Sequence, residues 1–481
     1  MVEWKTWSVK RSEIKFYGGS FMENKLVFGI HDRPKFGQML VFAIQQLLAI
    51  MAATIAVPAI VGNGMSASAA LFGAGVGTLV YQLFTKFRSP VFLGSSFAFI
   101  GSMAAAFAGA LSNVYLGYLG LIIGAAFAGL VYVIIAIVVK LVGVGWINKL
   151  MPAAVIGPTV ALIGLSLAGA AINDVFSYGG KNGDNSAFIM TTNAWVSFVC
   201  AMVTLFVVVI CSTYGKKMVK LVPFILGILA GYAVALVFTF IGIYTGNDAL
   251  KVIDFAPFKA LVADGVGVNT FVSLPDFSFI NAFKGLKSFN VSYLATIAVA
   301  YVPVAFVVFA EHIADHKNLS TIIGKDLTTD PGLHRTLLGD GVGSMAGAFF
   351  GGCPNTTYGE SVGCVAITRN ASIATITTTA IMAVLIAFVS PFVAFLDSIP
   401  GCVMGGVCVT LYGFIAVSGL KMVQKVDLED NANLFTVSAI LIPGIGGLAM
   451  QIGEVKLTNI ACALILGIIV NIVLHLKKKA A

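Results

Sequence analysis

Apolar runs long enough to be membrane spans recur along the whole chain, and short polar or charged stretches separate them. The runs cover residues 37–58, 66–85, 89–111, 116–139, 151–172, 191–211, 221–245, 289–312, 336–352, 354–369, 371–396, 400–420, 431–450 and 457–476. A helix needs about 20 apolar residues to cross a bilayer core of about 30 Å. The pattern therefore predicts an all-α polytopic membrane protein with 14 transmembrane segments.

Two of these predicted spans, the third and the tenth, contain residues that interrupt a helix. The third holds Gly94-Ser95-Ser96, and the tenth begins with Pro354 and continues through Thr356-Thr357-Tyr358. Proline is excluded from a helix interior, and Thr and Tyr favour strands. Unwound backbone at membrane depth survives only where it is buried in protein or lines a cavity. We therefore expect two broken spans with short extended segments that can pair at the midplane.

An ordinary outer loop is the alternative interpretation of residues 353–360. It would leave Arg369 in the middle of the bilayer, at a cost of about 2.5–3.5 kcal/mol.

The polar stretch at residues 246–288 divides the predicted spans into two sets of seven. An odd number of spans in each half makes the second half enter from the opposite face, so any repeat is inverted. A trace of such a repeat is visible, since MPAAVIG (151–157) opens the fifth span and IPGCVMG (399–405) opens the twelfth. We expect two inverted seven-span repeats.

Composition and charge agree with a membrane protein. The chain of 481 residues is 58% hydrophobic and 10% charged, and its mean hydropathy is +0.97, which excludes an ordinary soluble protein. Its net charge of +8 could suggest nucleic acid. However, the Lys and Arg residues cluster in alternate connections, as the positive-inside rule requires. The sequence therefore predicts a lipid bilayer rather than nucleic acid as the partner, with both termini cytoplasmic.

No sequence motif points to an enzyme or a metal protein. The seven cysteines lie in apolar segments without metal-ligand spacing, and they are interpreted as small buried packing residues. Neither a nucleophile–base pair nor a phosphate-binding loop is found. We expect no cofactor, no metal site and no catalytic residue.

Three carboxylates stand out in the apolar background. Glu360 precedes Arg369 by nine residues, or roughly 13 Å of helix, so it falls near mid-depth if Arg369 marks the cytoplasmic edge. An ionisable residue beside a helix break is a binding-site hypothesis. Glu311 and Asp315 share one helical face, although hydropathy alone would place Glu311 at the inner interface. His312 and His316 share another face, which we expect to point toward lipid headgroups or the loop.

Several segments resemble one transporter family closely. They are FAEH (309–312), KDLTTDPGLHRTLLGDG (325–341), PNTTYGES (354–361), VAITR (365–369), LGSSFAFI (93–100) and MGGVCVTLYG (404–413). They are similar to the bacterial uracil permeases of the nucleobase–ascorbate transporter family, and the resemblance covers essentially all the predicted spans. It implies uptake of uracil coupled to protons, by alternating access in the cytoplasmic membrane, with a homodimer as the assembly.

The resemblance also implies a division into two domains. A core domain would comprise residues 37–142 and 289–398, and a gate domain residues 143–245 and 399–476. A cytoplasmic N-terminal segment (1–36), an extracellular loop (246–288) and a cytoplasmic tail (477–481) would complete the chain.

The family's binding residues carry over to matching positions. Two glutamates would accept the N–H groups of uracil, two backbone amides would donate to its carbonyls, and two tyrosines would line the pocket. Purine-transporting relatives carry Gln where this chain has Glu360, so the glutamate favours a pyrimidine. The substrate-binding residues implied are Phe97, Glu311, Tyr358, Gly359, Glu360 and Tyr412.

The chain departs from the family pattern at three places. Asp315 stands where the family has His, and His316 follows one position later; Ser361 replaces Asn, and Gln45-Gln46 replaces Gln-His.

These departures bear on proton coupling. Like charges on one helical face disfavour double ionisation, so we expect Glu311 and Asp315 to carry the proton as a coupled pair. His312 and His316 are the rivals because histidine titrates near neutrality.

Other functions remain open at this stage. The same fold could carry a purine such as xanthine, or an organic anion. A channel is the competitor from another class, and a membrane enzyme the least supported one.

Overall fold

The structure, a computed structural model, describes residues 26–111, 113–143, 145–216, 218–263, 265–452 and 455–478. Most of the cytoplasmic N-terminal segment and of the tail assigned from sequence lies outside these residues. The α-helices are α1 (Phe36–Val61), α2 (Ala67–Phe84), α3 (Ile100–Gly109), α4 (Val114–Val142), α5 (Gly145–Leu150), α6 (Ala153–Ser166), α7 (Ala168–Val175), α8 (Thr192–Tyr214), α9 (Met218–Leu221), α10 (Pro223–Thr245), α11 (Ala256–Ala260), α12 (Val268–Phe271), α13 (Ser278–Gly285), α14 (Val291–Ile323), α15 (Leu333–Gly351), α16 (Gly359–Thr368), α17 (Ile373–Ile386), α18 (Ser390–Asp397), α19 (Gly401–Val423), α20 (Asn431–Ile445) and α21 (Asn459–Lys478). The strands are β1 (Leu93–Ser95), β2 (Gly180–Lys181), β3 (Phe188–Ile189), β4 (Asn355–Thr357), β5 (Met450–Ile452) and β6 (Val455–Leu457).

Apolar helices dominate the described residues and confirm a multi-pass membrane protein. Within the part of the chain that the structure describes, eight helical segments are long and apolar enough to cross a bilayer. Four shorter apolar segments accompany them, at Phe97–Gly109, Ile373–Ile386, Asn431–Ile445 and Asn459–Leu474. The chain is thus mostly helical, as expected from its hydropathy.

The long helices form two packing groups. In the first group, α2 packs against α15, α17 and α1, and α4 packs against α15, α14 and α3. In the second group, α19 packs against α6, α7 and α8, while α8 also contacts α10 and α20 contacts α21. Helices α1 and α14 of the first group also touch members of the second. We call these the α2–α15 group and the α19 group.

Two strands lie buried inside the α2–α15 group. β1 and β4 pair antiparallel, with Leu93 opposite Thr357, Gly94 opposite Thr356 and Ser95 opposite Asn355. All six residues are buried. The chain leaves β1 through a 3₁₀ turn at Phe97–Phe99 into α3, and it leaves β4 through Tyr358 into α16. The N–H and C=O groups of Leu93 bind the hydroxyl of Thr78 instead of β4. Each strand leads into a short helix.

The fold contains structure that the sequence did not predict. Two further hairpins, β2–β3 and β5–β6, make the chain not strictly all-α. The stretch 246–288 contains short helices α11, α12 and α13. Helix α14 runs from Val291 to Ile323, well past the limit of 312 predicted from hydropathy. Beyond Glu311, His312 and His316 are buried, whereas Lys317, Asn318 and Thr321 are exposed.

A cluster of charged side chains joins the two connections that follow α2 and α14. Arg88 and Lys325 bind the two carboxylate oxygens of Asp330 at 2.9 Å and 2.7 Å. Hydrogen bonds from Lys325 and Arg88 lower the pKa of Asp330 to about 2. The cluster stays charged at neutral pH, but its side chains are about half exposed, so it contributes little to stability.

Helices α2 and α15 touch backbone to backbone through small residues. A Cβ placed on Gly77 would lie 2.7 Å from the carbonyl oxygen of Gly343, and one on Gly343 would lie 2.7 Å from the carbonyl oxygen of Gly77. Only glycine allows this approach, which holds the two helices that flank the strand pair.

We predict that Gly77→Ala lowers the stability of the purified protein by about 1–3 kcal/mol, because the added methyl group would lie 2.5 Å from the buried Asn355 amide nitrogen and 2.7 Å from the Gly343 carbonyl oxygen. Gly101→Ala is the matched control, since a Cβ there meets no atom within 4 Å. Thermal unfolding in detergent measures both variants. Equal melting temperatures would contradict the close packing of α2 on α15.

Candidate functional site

A cavity of about 350 Å³ lies between the two helix groups. This volume falls in the range of small-molecule sites. The α2–α15 group supplies a polar wall with three half-buried carboxylates, those of Glu311, Asp315 and Glu360. The α19 group supplies an apolar wall of Val160, Ile163, Phe224, Leu411, Phe414 and Ile415.

Two helix beginnings face this cavity. Gly359 and Glu360 are the first two residues of α16, and Phe97 begins the 3₁₀ turn that leads into α3. The first N–H groups of a helix have no acceptor within the helix, and they carry a partial positive charge. The pairing of β1 with β4 therefore brings two sets of N–H donors and one carboxylate to the same cavity.

Helix α14 contributes the other two carboxylates. Glu311 and Asp315 lie one turn apart and both line the cavity. The hydroxyl of Thr357, at the end of β4, donates to Asp315 Oδ2 at 2.9 Å. This bond fixes the Asp315 carboxylate against the strand pair and leaves its second oxygen for other partners.

The ring of Tyr358 forms part of the polar wall. Its hydroxyl donates to the carbonyl oxygen of Ser95 at 2.6 Å, and its ring lies directly over Gly94. A Cβ on Gly94 would collide with that ring, so glycine is required there. Tyr358 thus links the end of β4 to β1.

Tyr412 does not line the cavity, and its expected place in the lining is corrected. It is buried behind Phe97, with ring centroids 6.0 Å apart in an edge-to-face arrangement. Its neighbour Leu411 occupies the wall instead. Tyr412 therefore supports a lining residue rather than the site itself.

His312 and His316 are fully buried, so the prediction that they face lipid headgroups or the loop is wrong. Their rings stack at 4.0 Å. His316 bonds the hydroxyl of Tyr81 at 2.7 Å and the carbonyl oxygen of His312 at 2.8 Å. Neither lines the cavity, because helices α2, α4 and α15 cover that face of α14. Asp315, not His316, faces the cavity.

Two of the three departures from the family pattern contact each other. The Gln46 amide donates to Ser361 Oγ at 2.6 Å, and the backbone N–H of Phe92 donates to the same oxygen at 3.1 Å. Gln46 and Ser361 are buried. The pair joins α1, the start of β1 and the residue after Glu360.

The apolar wall is what sequence reasoning missed. Val160, Phe224 and Phe414 belong to ordinary apolar helices, and no local signal distinguishes them from residues that face lipid. Only the packing of the two helix groups identifies them. Among the described residues, no group of three His, Cys, Asp or Glu side chains could hold a metal ion.

Comparisons with known proteins identify relatives over nearly the whole chain. A model of a permease family matches residues 37–453. The uracil permease of Bacillus caldolyticus is 37% identical over 461 residues, which cover 95% of this chain and 97% of that protein. The uracil permease of Bacillus subtilis is 36% identical with the same coverage, and that of Escherichia coli K12 is 33% identical over 93% of this chain and 94% of that protein.

Solved structures of other transporters share the fold. The transmembrane domain of the cyanobacterial bicarbonate transporter BicA aligns with a TM-score of 0.59 at 14% identity, over 92% of this chain and all of that domain. Murine Slc26a9, an anion transporter, aligns with a TM-score of 0.61 at 11% identity, over 93% of this chain and 69% of that one. At these identities, the likeness concerns the fold alone.

We predict that Ser361→Ala lowers stability by about 1–3 kcal/mol, because it leaves the Gln46 amide and the Phe92 N–H buried without an acceptor. Thermal unfolding of Ser361→Ala, Gln46→Leu and the double variant measures the coupling. The double variant should lose less than the sum of the single losses, and Ser438→Ala, at an exposed position, should change little. Strictly additive losses would show that the two side chains do not interact.

Proposed function

We propose that this chain, which belongs to the permease family and within it to the bacterial uracil permeases, carries uracil across the membrane together with a proton by alternating access. The observation that supports this most strongly is the polar wall of the cavity. There, two glutamates and two helix beginnings face one space large enough for a small molecule.

The chemistry of uracil fits this wall. Its flat ring offers two N–H donors and two carbonyl acceptors. Glu360 and Glu311 supply the acceptors for the N–H groups, and the backbone amides of Phe97 and Gly359 supply donors for the carbonyls. The ring of Tyr358 and the side chain of Phe414 then face the flat surfaces of the base. The names of the relatives support uracil over a purine or an organic anion.

Proton coupling rests on the crowding of carboxylates in the cavity. Glu311, Asp315 and Glu360 all line the same space, where full ionisation would place three like charges close together. We assign the transported proton to the Glu311–Asp315 pair. Thr357 holds the Asp315 carboxylate at the cavity. Protonation of the Glu311–Asp315 pair therefore changes the electric charge of the wall that the substrate contacts.

The division of the walls supports alternating access. Nearly all polar groups of the cavity belong to the α2–α15 group, which corresponds to the proposed core domain; the α19 group corresponds to the gate domain. If the α19 group moves against the α2–α15 group, the apolar wall can cover or uncover the cavity while the polar wall keeps its geometry. The lining continues along α19 to Met422, next to Lys421, so the cavity extends toward the side that the positive-inside rule assigns to the cytoplasm.

The topology is part of the same proposal. We assign 14 spans in two inverted repeats, with β1 and β4 inside the broken third and tenth spans. Both termini are cytoplasmic, and the protein is a homodimer of the cytoplasmic membrane. The antiparallel pairing of β1 and β4, each followed by a short helix, supports the inverted relation.

We predict that Glu360→Gln weakens uracil binding at least about tenfold, because a neutral amide replaces the carboxylate in a charge-assisted hydrogen bond. Isothermal titration calorimetry on the purified protein measures the affinity. The exposed Glu429→Gln is the matched control and should bind like the parent. An affinity of Glu360→Gln within about twofold of the parent would remove Glu360 from the site.

We also predict that Asp315→Asn uncouples transport from the proton. The variant should still exchange uracil for uracil in proteoliposomes, since the cavity keeps its shape and both glutamates. It should no longer accumulate uracil under an inward proton gradient. Asp397→Asn, at an exposed position, is the control and should accumulate uracil like the parent. Accumulation by Asp315→Asn at the parental level would show that the proton is carried elsewhere.

A further inference from the structure

A second, much smaller cavity lies inside the α2–α15 group, behind strand β4. Its volume is about 10 Å³, and it lies between α4, α15 and the strand. Three buried oxygens of lining residues have no hydrogen-bond partner among the described residues, namely Asp340 Oδ1, Asn355 Oδ1 and the Tyr132 hydroxyl. Unpartnered buried polar atoms are rare in proteins, so three of them around one cavity point to a bound molecule.

The other oxygen of Asp340 shares a proton with His312. Asp340 Oδ2 lies 2.7 Å from His312 Nδ1, and His312 Nε2 lies 3.0 Å from Thr336 Oγ1. When the Thr336 hydroxyl donates its one proton to the carbonyl oxygen of Leu333, it accepts from His312 Nε2–H. One further proton then lies between Nδ1 and Oδ2. In this arrangement the pair is neutral as a whole, whether it is imidazolium with carboxylate or imidazole with carboxylic acid.

The number of oxygens and the size of the cavity decide between a cation and a water molecule. Three unpartnered oxygens are fewer than the six or so that hard cations take. A water molecule needs about 10–15 Å³ and two to four polar partners. It can donate one proton to Asp340 Oδ1, donate the other to Asn355 Oδ1 and accept from the Tyr132 hydroxyl.

We propose that Tyr132, Asp340 and Asn355 bind a single water molecule, and that this water ties strand β4 to the neutral His312–Asp340 pair. The amide of Asn355 already donates to the carbonyl oxygen of Gly73, so the water completes its hydrogen bonding. Two residues further along β4, Thr357 holds Asp315 in the substrate cavity. The water thus positions the strand that carries the polar wall, without touching the substrate.

Radiolytic hydroxyl-radical labelling of the purified, full-length protein tests for the water directly, because bound water generates radicals beside the residues that hold it. Tyr132 should be labelled although it is buried. Tyr301 is the matched control, since its hydroxyl is also buried without a partner but does not line this cavity. Absence of labelling at Tyr132, or equal labelling of the two tyrosines, would overturn the water site.

Variants separate a positioning role from simple packing. Asp340→Asn can donate to His312 Nδ1 and accept from the water, so it should keep the uracil affinity; Asp340→Leu has a similar size and should lose at least about fivefold. Tyr132→Phe should also weaken binding, while Tyr301→Phe should not. Equal affinities of the two phenylalanine variants would contradict the proposal.

A sodium ion is excluded by a separate measurement. The melting temperature should be the same in NaCl and in choline chloride. Stabilisation by NaCl that Asp340→Asn abolishes would replace the water with a cation and overturn the proposal.

Discussion

Backbone N–H and C=O groups cannot remain unpaired inside a membrane protein, and the pairing of β1 with β4 meets this requirement at the centre of the fold together with the hydroxyls of Thr78 and Tyr358. Each strand has only three residues, and each gives way to a short helix. The N–H groups that begin these helices then face the substrate cavity. Two contacts surround this pair of strands. Helices α2 and α15 approach closely on either side of it, and the Tyr358 ring packs on Gly94 of β1.

The same pair of strands positions the carboxylates. Glu360 is placed by β4 and the start of α16, while Asp315 is held by the last residue of β4. Behind the strand, Asp340 faces His312 and a small polar cavity rather than the substrate. Carboxylates on the two sides of one strand therefore have different roles. Those in the cavity are open to the space proposed for the substrate, whereas Asp340 is buried against His312.

Local sequence patterns predicted the broken tenth span and the shared face of Glu311 and Asp315. The other features of the site depend on tertiary packing. Pro354 with Thr356-Thr357 indicated extended backbone where β4 lies, and the fourfold spacing of Glu311 and Asp315 put both in the cavity. The burial of His312 and His316 could not be read from the helix, because the helices that cover them are distant in sequence. For the same reason, Tyr412 was placed in the lining when Leu411 lies there. The contact of Gln46 with Ser361 joins residues 315 positions apart, and no local pattern could show it.

We propose that uracil binds at the polar wall formed by the paired strands and α14. A cryo-electron microscopy map of the protein saturated with uracil tests this most directly. We expect density for one flat ring in the cavity, with Glu360 and Glu311 at its N–H groups and the first residues of α16 and of the turn at Phe97 at its carbonyl oxygens. Uracil bound elsewhere, or an empty cavity in a saturated complex, would contradict the account.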